Sequence, residues 1–295
     1  MVLKYKYLLI IPLLILAAMF IYANLSVSES KLNISSLGTI SNDALNGPYF
    51  PIRSSHDKSS ASQASKVTVA APATKTTTNG PFIPILMYHE IGEGPNSLFV
   101  SVDGFRAHMH YLKANNYHIV TMAQAREMLV KKQIPPKTAV ISFDDGYVSF
   151  YTKAWPILQE YGFPATVYVI AGYPGVYSNY LTWDQIKTIQ SGGTEIGSHS
   201  LTHPALTTLN EEGLTREIMG SKEILEARLG VKINSFCYPT GAYNQQVIEY
   251  VKKAGYTSAV TVVYRKATPS DDLFLIPRIR VFKAATVTTL SQGMQ

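Results

Sequence analysis

From residue 81 to the end of the chain, apolar runs of four to seven residues alternate with amphipathic stretches. The runs predict strands at Ile83–Tyr88, Tyr117–Thr121, Thr138–Phe143, Ala165–Ile170, Thr194–Gly197, Ser235–Tyr238, Ser258–Val262 and Leu275–Val281. They are short, rich in Val and Ile and apolar without alternation, as strands of a parallel sheet covered by helices are. Between them the spacing turns helical. Val102–Asn115 places Phe105, Met109 and Leu112 on one face, and Glu211–Leu229 does so with Leu214, Ile218, Leu225 and Leu229 before a closing Gly230. Asn244–Ala254, closed by Gly255, is a third helix, and Thr182 caps another that begins at Trp183-Asp184. Seven or eight such units in residues 81–295 predict the α/β class and a (β/α)7–8 barrel, complete or incomplete.

The pattern before residue 81 is different. Lys4 and Lys6 precede an uncharged apolar run, Tyr7–Ala23. As a helix this run would span roughly 25 Å, at the lower limit for a membrane span and above the usual core of a signal peptide. Residues 1–25 therefore read as a signal peptide or an N-terminal membrane anchor with its positive end inside. Ile21-Tyr22-Ala23 is only a passable cleavage site, and no cysteine stands there for lipidation. Either form exports the rest, to the outer face of the membrane or into the medium. Residues 26–80, dominated by Ser, Thr, Ala, Asn and Lys, bury too little to offset their ordering entropy and read as a flexible linker, with Lys66–Ala70 as one optional strand.

Composition narrows the function. With 46% hydrophobic residues the chain of 295 can bury a substantial core. Its net charge of +6 suits work beside anionic polymers or a membrane surface, but the basic residues are scattered without interleaved aromatics, so no nucleic-acid partner is expected. The single cysteine, Cys237, excludes an internal disulfide and a thiolate metal cluster. A metal site would need histidine and carboxylate.

Those residues follow the predicted strand ends: His89, the pair Asp144-Asp145, His199, the segment Tyr238–Gly241, with Arg278 inside the last strand. In a barrel these positions share one rim, where active sites of this architecture are built. His199 and His203 stand four apart, within reach of one ion. Two histidines and one aspartate make a three-ligand site with an open position, as in catalytic zinc. The second aspartate is then free to accept a proton. Zinc, cobalt, nickel or iron(II) all suit this donor set, with zinc the expected cofactor.

Ser142-Phe143-Asp144-Asp145-Gly146 and His199-Ser200-Leu201-Thr202-His203 resemble the first two motifs of the polysaccharide deacetylases, the carbohydrate esterase family built on the NodB homology domain. The resemblance covers Pro81 to the end and marks 81–295 as the catalytic domain. It implies the NodB type of distorted barrel, with Asp144 as general base and Asp145, His199 and His203 as ligands of a divalent metal. It also implies hydrolysis of N-acetyl groups on an amino-sugar polysaccharide, releasing acetate. The third motif departs from the family, because Cys237 stands where an arginine usually orients the base. Arg278 is expected to clamp Asp144 instead, since a guanidinium can hold a carboxylate by two hydrogen bonds. Within the same motif the Thr240 amide is the expected oxyanion donor and Tyr238 a substrate contact. The family's final histidine is missing too, as no histidine follows His203. His89 can supply the acid, because the first and last strands of a closed barrel are neighbours; the rival reading is a buried structural histidine. This order is similar to the permuted branch that includes biofilm poly-N-acetylglucosamine deacetylases.

Other residues are weaker candidates. Trp183 is a possible wall of the sugar groove. The loop Gly172–Tyr180, with its three tyrosines, either lines a groove or is plain surface. Glu195 shares strand parity with His199 and could support it. His108, His110 and His118 read as surface groups, and Cys237 as a small packed residue. Two rivals to the deacetylase reading stand: an O-acetyl esterase on xylan or another acetylated glycan, and a carbohydrate-binding protein that has lost catalysis. The polymer itself is left open among peptidoglycan, chitin-like chains and poly-N-acetylglucosamine, and no protein partner is expected.

Overall fold

A strand that is apolar on both parities must have both faces covered, and here a closed barrel covers one face and a ring of helices the other. The structure, a computed structural model, describes residues 80–295. The apolar run Tyr7–Ala23, the linker up to residue 79 and the optional strand at Lys66–Ala70 lie outside the described residues. Among the described residues no helix is long and apolar enough to cross a membrane.

The strands are β1 (Ile85–Tyr88), β2 (Glu90–Ile91), β3 (Phe99–Val100), β4 (His118–Val120), β5 (Thr138–Phe143), β6 (Thr166–Val169), β7 (Glu195–Ser198), β8 (Ser235–Cys237), β9 (Ser258–Tyr264) and β10 (Ile276–Arg280). All eight predicted strands are present, each trimmed or shifted by a few residues. Seven of them close a parallel barrel in the order β1, β10, β9, β8, β7, β6, β5, with β5 pairing back onto β1. The eighth, β4, pairs with the first half of β5, Thr138–Val140, and β6 takes over at Ser142 and Phe143. The two-residue strands β2 and β3 pair apart from the barrel and carry too little pattern to be read in advance.

Strand alternation sorts side chains into two layers. Ile85, Val140, Tyr168, Cys237, Val260 and Ile276 form a cluster inside the barrel. Leu86, Ile141, Phe143, Val167, Phe236 and Ile279, on the opposite parity, pack outward under the helices. Each aliphatic side chain buried this way contributes about 1.5–3 kcal/mol. The parity that points Val140 inward also points Ser142 and Asp144 inward; likewise Ile276 is followed inward by Arg278 and Arg280, and Ile85 by Met87 and His89. The lower barrel is therefore filled with aliphatic groups and the C-terminal mouth with polar ones.

Helices run at Val102–Ala114, Met122–Lys131, Trp155–Tyr161, Trp183–Ser191, Gly220–Leu229, Gln245–Lys253 and Val287–Met294. The Thr182 side chain accepts from the Gln185 amide in a full capping box, as the sequence indicates. The predicted helix over Glu211–Leu229 is not uniform: an α-turn at Glu211–Leu214 passes into a π segment at Thr215–Met219 before α geometry resumes. That widened turn bears on the site.

One histidine departs from expectation. His108 is buried rather than exposed: its Nε2 donates to the Ala285 carbonyl at 3.1 Å, which leaves Nδ1 to accept from the Tyr88 hydroxyl at 3.1 Å. It ties the first helix to the segment before the last one. The sequence gives no sign of this, because both partners are remote. His110 and His118 are exposed, as expected.

Candidate active site

The turn after β5 builds one half of the site. Asp144 ends the strand with its amide on the Tyr88 carbonyl at 2.9 Å. Asp145 (φ 73°) and Gly146 (φ 78°) are then both left-handed, which folds the chain back sharply. Asp145 has no glycine freedom, so it carries backbone strain of a kind that concentrates at functional sites. Ser200 (φ 64°) and His203 (φ 62°), in the loop after β7, are strained in the same sense.

Asp144 is 3% exposed and Arg278 fully buried. Arg278 donates from Nη1 to Oδ1 and from Nη2 to Oδ2, both at 2.7 Å, a bidentate pair. Its remaining donors reach the Thr261 carbonyl (3.0 Å), Ser142 Oγ (3.3 Å) and Cys237 Sγ (3.2 Å), and the Tyr168 ring lies beneath the guanidinium. Burial alone would push the Asp144 carboxyl up. The Arg278 charge and hydrogen bonds more than offset this and hold it well below the usual carboxylate range.

Asp145 Oδ1 lies 3.3 Å from His199 Nε2 and 3.6 Å from His203 Nε2. The three donor atoms fall within 4.8 Å of one another. His199 is fixed by its other nitrogen, Nδ1, which donates to the Cys237 carbonyl at 2.8 Å and leaves Nε2 facing the carboxylate. The His203 ring stands across it, with centroids 4.7 Å apart. A charge-assisted N–H···O bond would be shorter, about 2.7–2.9 Å. Donors placed ~2.0–2.1 Å from a tetrahedral ion stand ~3.3–3.4 Å apart. The separations therefore fit a shared divalent cation better than direct hydrogen bonds. Asp144, His199 and Cys237 form a second close group. It suits a cation poorly, because Arg278 already sits on both Asp144 and the sulfur and burial raises the Cys237 thiol pKa.

The His199–His203 loop hangs on a residue the sequence reading missed. Glu217 is 1% exposed, and its carboxylate accepts from the Leu201 amide (3.1 Å), the Thr202 amide (2.8 Å) and the Thr202 hydroxyl (2.8 Å). It lies in the π segment, whose widened turn gives it a place beside the loop. The available signal was an acid sharing the apolar stripe with Leu214 and Ile218.

The tyrosine loop lines this rim. Tyr180 stacks on Tyr147 at 4.9 Å and meets Tyr173 edge-on at 4.8 Å. The Tyr173 hydroxyl donates to the Thr202 carbonyl, and the Leu181 amide to the Gly146 carbonyl, so the loop is fastened to the turns that carry Asp145 and His203. Gly172 is required where it stands, since a Cβ there would lie 2.7 Å from the Leu201 carbonyl oxygen.

His89 follows β1 at the same mouth. Its Nδ1 is buried and, among the described residues, has no hydrogen-bond partner. Burial lowers its pKa from the ordinary value, against the raising effect of Asp144 and Asp145 and with help from Arg278 and Arg280. Thr240 is exposed in the turn after β8, with φ 56°.

Three expectations fail. The Tyr238 ring is 1% exposed and its hydroxyl donates to the Phe274 carbonyl at 3.0 Å, so this side chain is core and offers no face to a ligand. Trp183 is half-buried with one face under the Arg228 guanidinium at 5.4 Å, a packing role in place of an open wall. Glu195 shares parity with the site but starts β7, at the opposite end of the barrel from His199. There it accepts from the Ala123 amide (2.9 Å) and Thr166 hydroxyl (3.1 Å) and caps the helix Met122–Lys131. Parity fixes a face of a sheet and says nothing of height along it.

Comparison with known proteins bears on this geometry. The family model for polysaccharide deacetylases matches residues 131–259. The chain is 34% identical over 200 residues to YxkH of Bacillus subtilis, a chain assigned to the polysaccharide deacetylases, covering 68% of this chain and 71% of that one. It is 26% identical over 256 residues to a protein of Escherichia coli K12 named poly-beta-1,6-N-acetyl-D-glucosamine N-deacetylase, of whose length it spans 38%. Among solved structures, the Streptococcus pyogenes deacetylase PplD in complex with acetate superposes with a TM-score of 0.70 at 28% identity, covering 73% of this chain and 99% of that one. Motif order, barrel and extended identity agree: the chain belongs to the polysaccharide deacetylase family.

Proposed function

We propose that this protein is a metal-dependent N-deacetylase of polysaccharides containing N-acetylglucosamine. The observation that carries the reading is the juxtaposition of a three-donor cation site, Asp145, His199 and His203, with a separate ionised carboxylate, Asp144, held by Arg278. The relative named for poly-beta-1,6-N-acetyl-D-glucosamine supports the choice of amino sugar. When bound, a divalent cation supplies Lewis-acid polarisation of a carbonyl and makes water nucleophilic near neutral pH.

The chain's own groups do the rest. Asp144 takes the proton of the attacking water, and Arg278 keeps that carboxylate ionised and oriented. Cys237 in place of the family arginine does not leave the base unheld, because Arg278 reaches it from β10. The Thr240 amide donates to the oxyanion that forms on the acetamide carbon. His89, whose Nδ1 has no hydrogen-bond partner among the described residues, gives the departing amine its proton. The tyrosines of the 172–180 loop bound the groove on one side and exclude water there.

The test is acetate release from N-acetylglucosamine oligomers with β-1,4 and β-1,6 linkage and from acetylated xylan, with and without chelator. The proposal requires release from an amino-sugar oligomer that stops with chelator and returns with zinc or cobalt. Release from xylan alone would replace it with the esterase reading.

A further inference from the structure

Strand β9 does not keep its register. Ile276 of β10 stands opposite Val260 and Arg278 opposite Tyr264, so two steps along β10 face four along β9, and residues 261–263 form a bulge. Regular alternation from Val260, which faces into the barrel, would turn Val262 inward as well. Val262 is instead 40% exposed, while Thr261 is fully buried. Bulges concentrate beside active sites, where they re-aim groups of the chain.

Each of these two residues touches one half of the site. Arg278 Nε donates to the Thr261 carbonyl at 3.0 Å, which fixes the plane of the guanidinium while both Nη groups grip Asp144. The Thr261 hydroxyl holds that carbonyl in place by donating to the Ile276 carbonyl at 3.2 Å and accepting from the Val263 amide at 3.3 Å. Val262 reaches the other way. β8 pairs with β9 as far as Cys237 opposite Val260, and the Tyr238 amide still donates to the Val260 carbonyl at 3.3 Å. Past that point the turn Pro239–Gly241 rests on the Val262 isopropyl group, since a Cβ on Gly241 would lie 2.2 Å from Cγ2 and 2.9 Å from Cγ1. The turn needs such support. Thr240 is β-branched at φ 56°, a strained conformation that persists only where its surroundings hold it. The bonds from the Gly241 amide to the Tyr238 carbonyl (3.0 Å) and from the Ala242 amide to the Pro239 carbonyl (3.1 Å) close the turn on itself, and Val262 braces it against the neighbouring strand.

We propose that this bulge is the frame on which the reacting groups are set, with Thr261 and Val262 as positioning residues. Thr261 holds Arg278, and through it the base Asp144; Val262 holds the Thr240 amide at the place of the oxyanion. This role rests on the deacetylase reading and deepens it, because it names what fixes the base relative to the oxyanion donor. Displacing a reacting group by about 1 Å can cost on the order of 10²-fold in rate, and a contact that matters in the transition state is read in kcat rather than in KM.

The experiment compares Thr261→Val and Val262→Ala with the conservative variants Thr261→Ser, which keeps the hydroxyl, and Val262→Thr, which keeps the branched shape. In acetate release from N-acetylglucosamine oligomers, Thr261→Val and Val262→Ala should each lose about tenfold in kcat with KM within about twofold and zinc content unchanged. Thr261→Ser and Val262→Thr should recover most of the rate. A fall in only one of the two positions, a fall carried by KM or by lost zinc, or equal losses in the conservative variants would overturn the proposal. Two further readouts need no turnover. The urea midpoint lost on Arg278→Met should be smaller in the Thr261→Val background than in the wild type, because coupled groups are not additive. Amide hydrogen exchange at Thr240 should be faster in Val262→Ala than in the wild type or Val262→Thr. Additive midpoints or unchanged exchange would overturn the frame even in an active enzyme. Coupling and faster exchange without acetate release from any oligomer would keep the frame and remove the deacetylase reading.

Discussion

Replacing Arg278 with methionine removes the guanidinium while keeping a flexible side chain in its buried slot. Asp144 then loses two hydrogen bonds at 2.7 Å and the one cation that, among the described residues, pairs with it directly. At ~4 Å separation and an effective dielectric constant of ~20, the lost attraction is about 4 kcal/mol. Breaking a buried pair from one side costs about 3–5 kcal/mol, because the other charge is left uncompensated. The sign of the pH dependence is diagnostic. In the wild type the folded-state pKa of Asp144 is depressed below its ordinary value of 3.8, so the pair's stabilisation is complete above that value and lost only as pH falls through the lower one. In Arg278→Met, burial, the largest influence on this carboxyl, outweighs the smaller lowering effects of His199 and His89 and raises the folded-state pKa, so the carboxyl gains a proton as pH falls and part of the penalty disappears. Urea unfolding of both proteins in chelator, from pH 8 down to 4.5, should show a gap of about 3–5 kcal/mol at the top that narrows steadily toward the bottom. A gap below about 1 kcal/mol, as for exposed ion pairs, or one that stays flat with pH, would refute the reasoning.

Three further outcomes follow from the same geometry. Glu217→Gln keeps the size but weakens the grip on the Leu201 and Thr202 amides, and zinc titration of the apo protein should show affinity lower by about 10–100-fold with the fold intact by circular dichroism. His89→Asn should cut kcat by about 10²–10⁴-fold with little change in metal content. Because burial lowers the His89 pKa and a general acid must carry its proton, the wild-type rate should fall as pH rises through a value below 6.5, and the variant should lose that limb. Metal affinity of the wild type should drop as pH falls below neutrality, since His199 and His203 must shed protons to bind, which a competition titration from pH 8 to 5.5 would record.

How much of this was legible depended on where the cause lay. The strands could be read because continuous apolar runs such as Thr138–Phe143 state directly that both faces are covered. The grouping of Asp145, His199 and His203 could be read because these residues fall in two compact segments, 144–145 and 199–203. Arg278 was visible as a full charge inside an apolar strand, which burial permits only with a partner. Glu217 was not, because its role depends on a π turn whose extra residue per ring shifts the side chain toward a loop that precedes it. Glu195 and Tyr238 were misread for a related reason: sequence parity gives the face of a strand, but height along the barrel and the partner of a buried hydroxyl are set by distant residues. His108 was misjudged as surface because its two partners lie 20 and 177 positions away.

The division of labour between the two neighbouring aspartates is tested most directly by measuring bound metal and acetate release on the same preparations of wild type, Asp144→Asn and His203→Ala. The account predicts one divalent ion per chain and turnover in the wild type, an ion without turnover in Asp144→Asn, and loss of both in His203→Ala. Acetate release by Asp144→Asn at the wild-type rate, or full metal retention by His203→Ala, would contradict it.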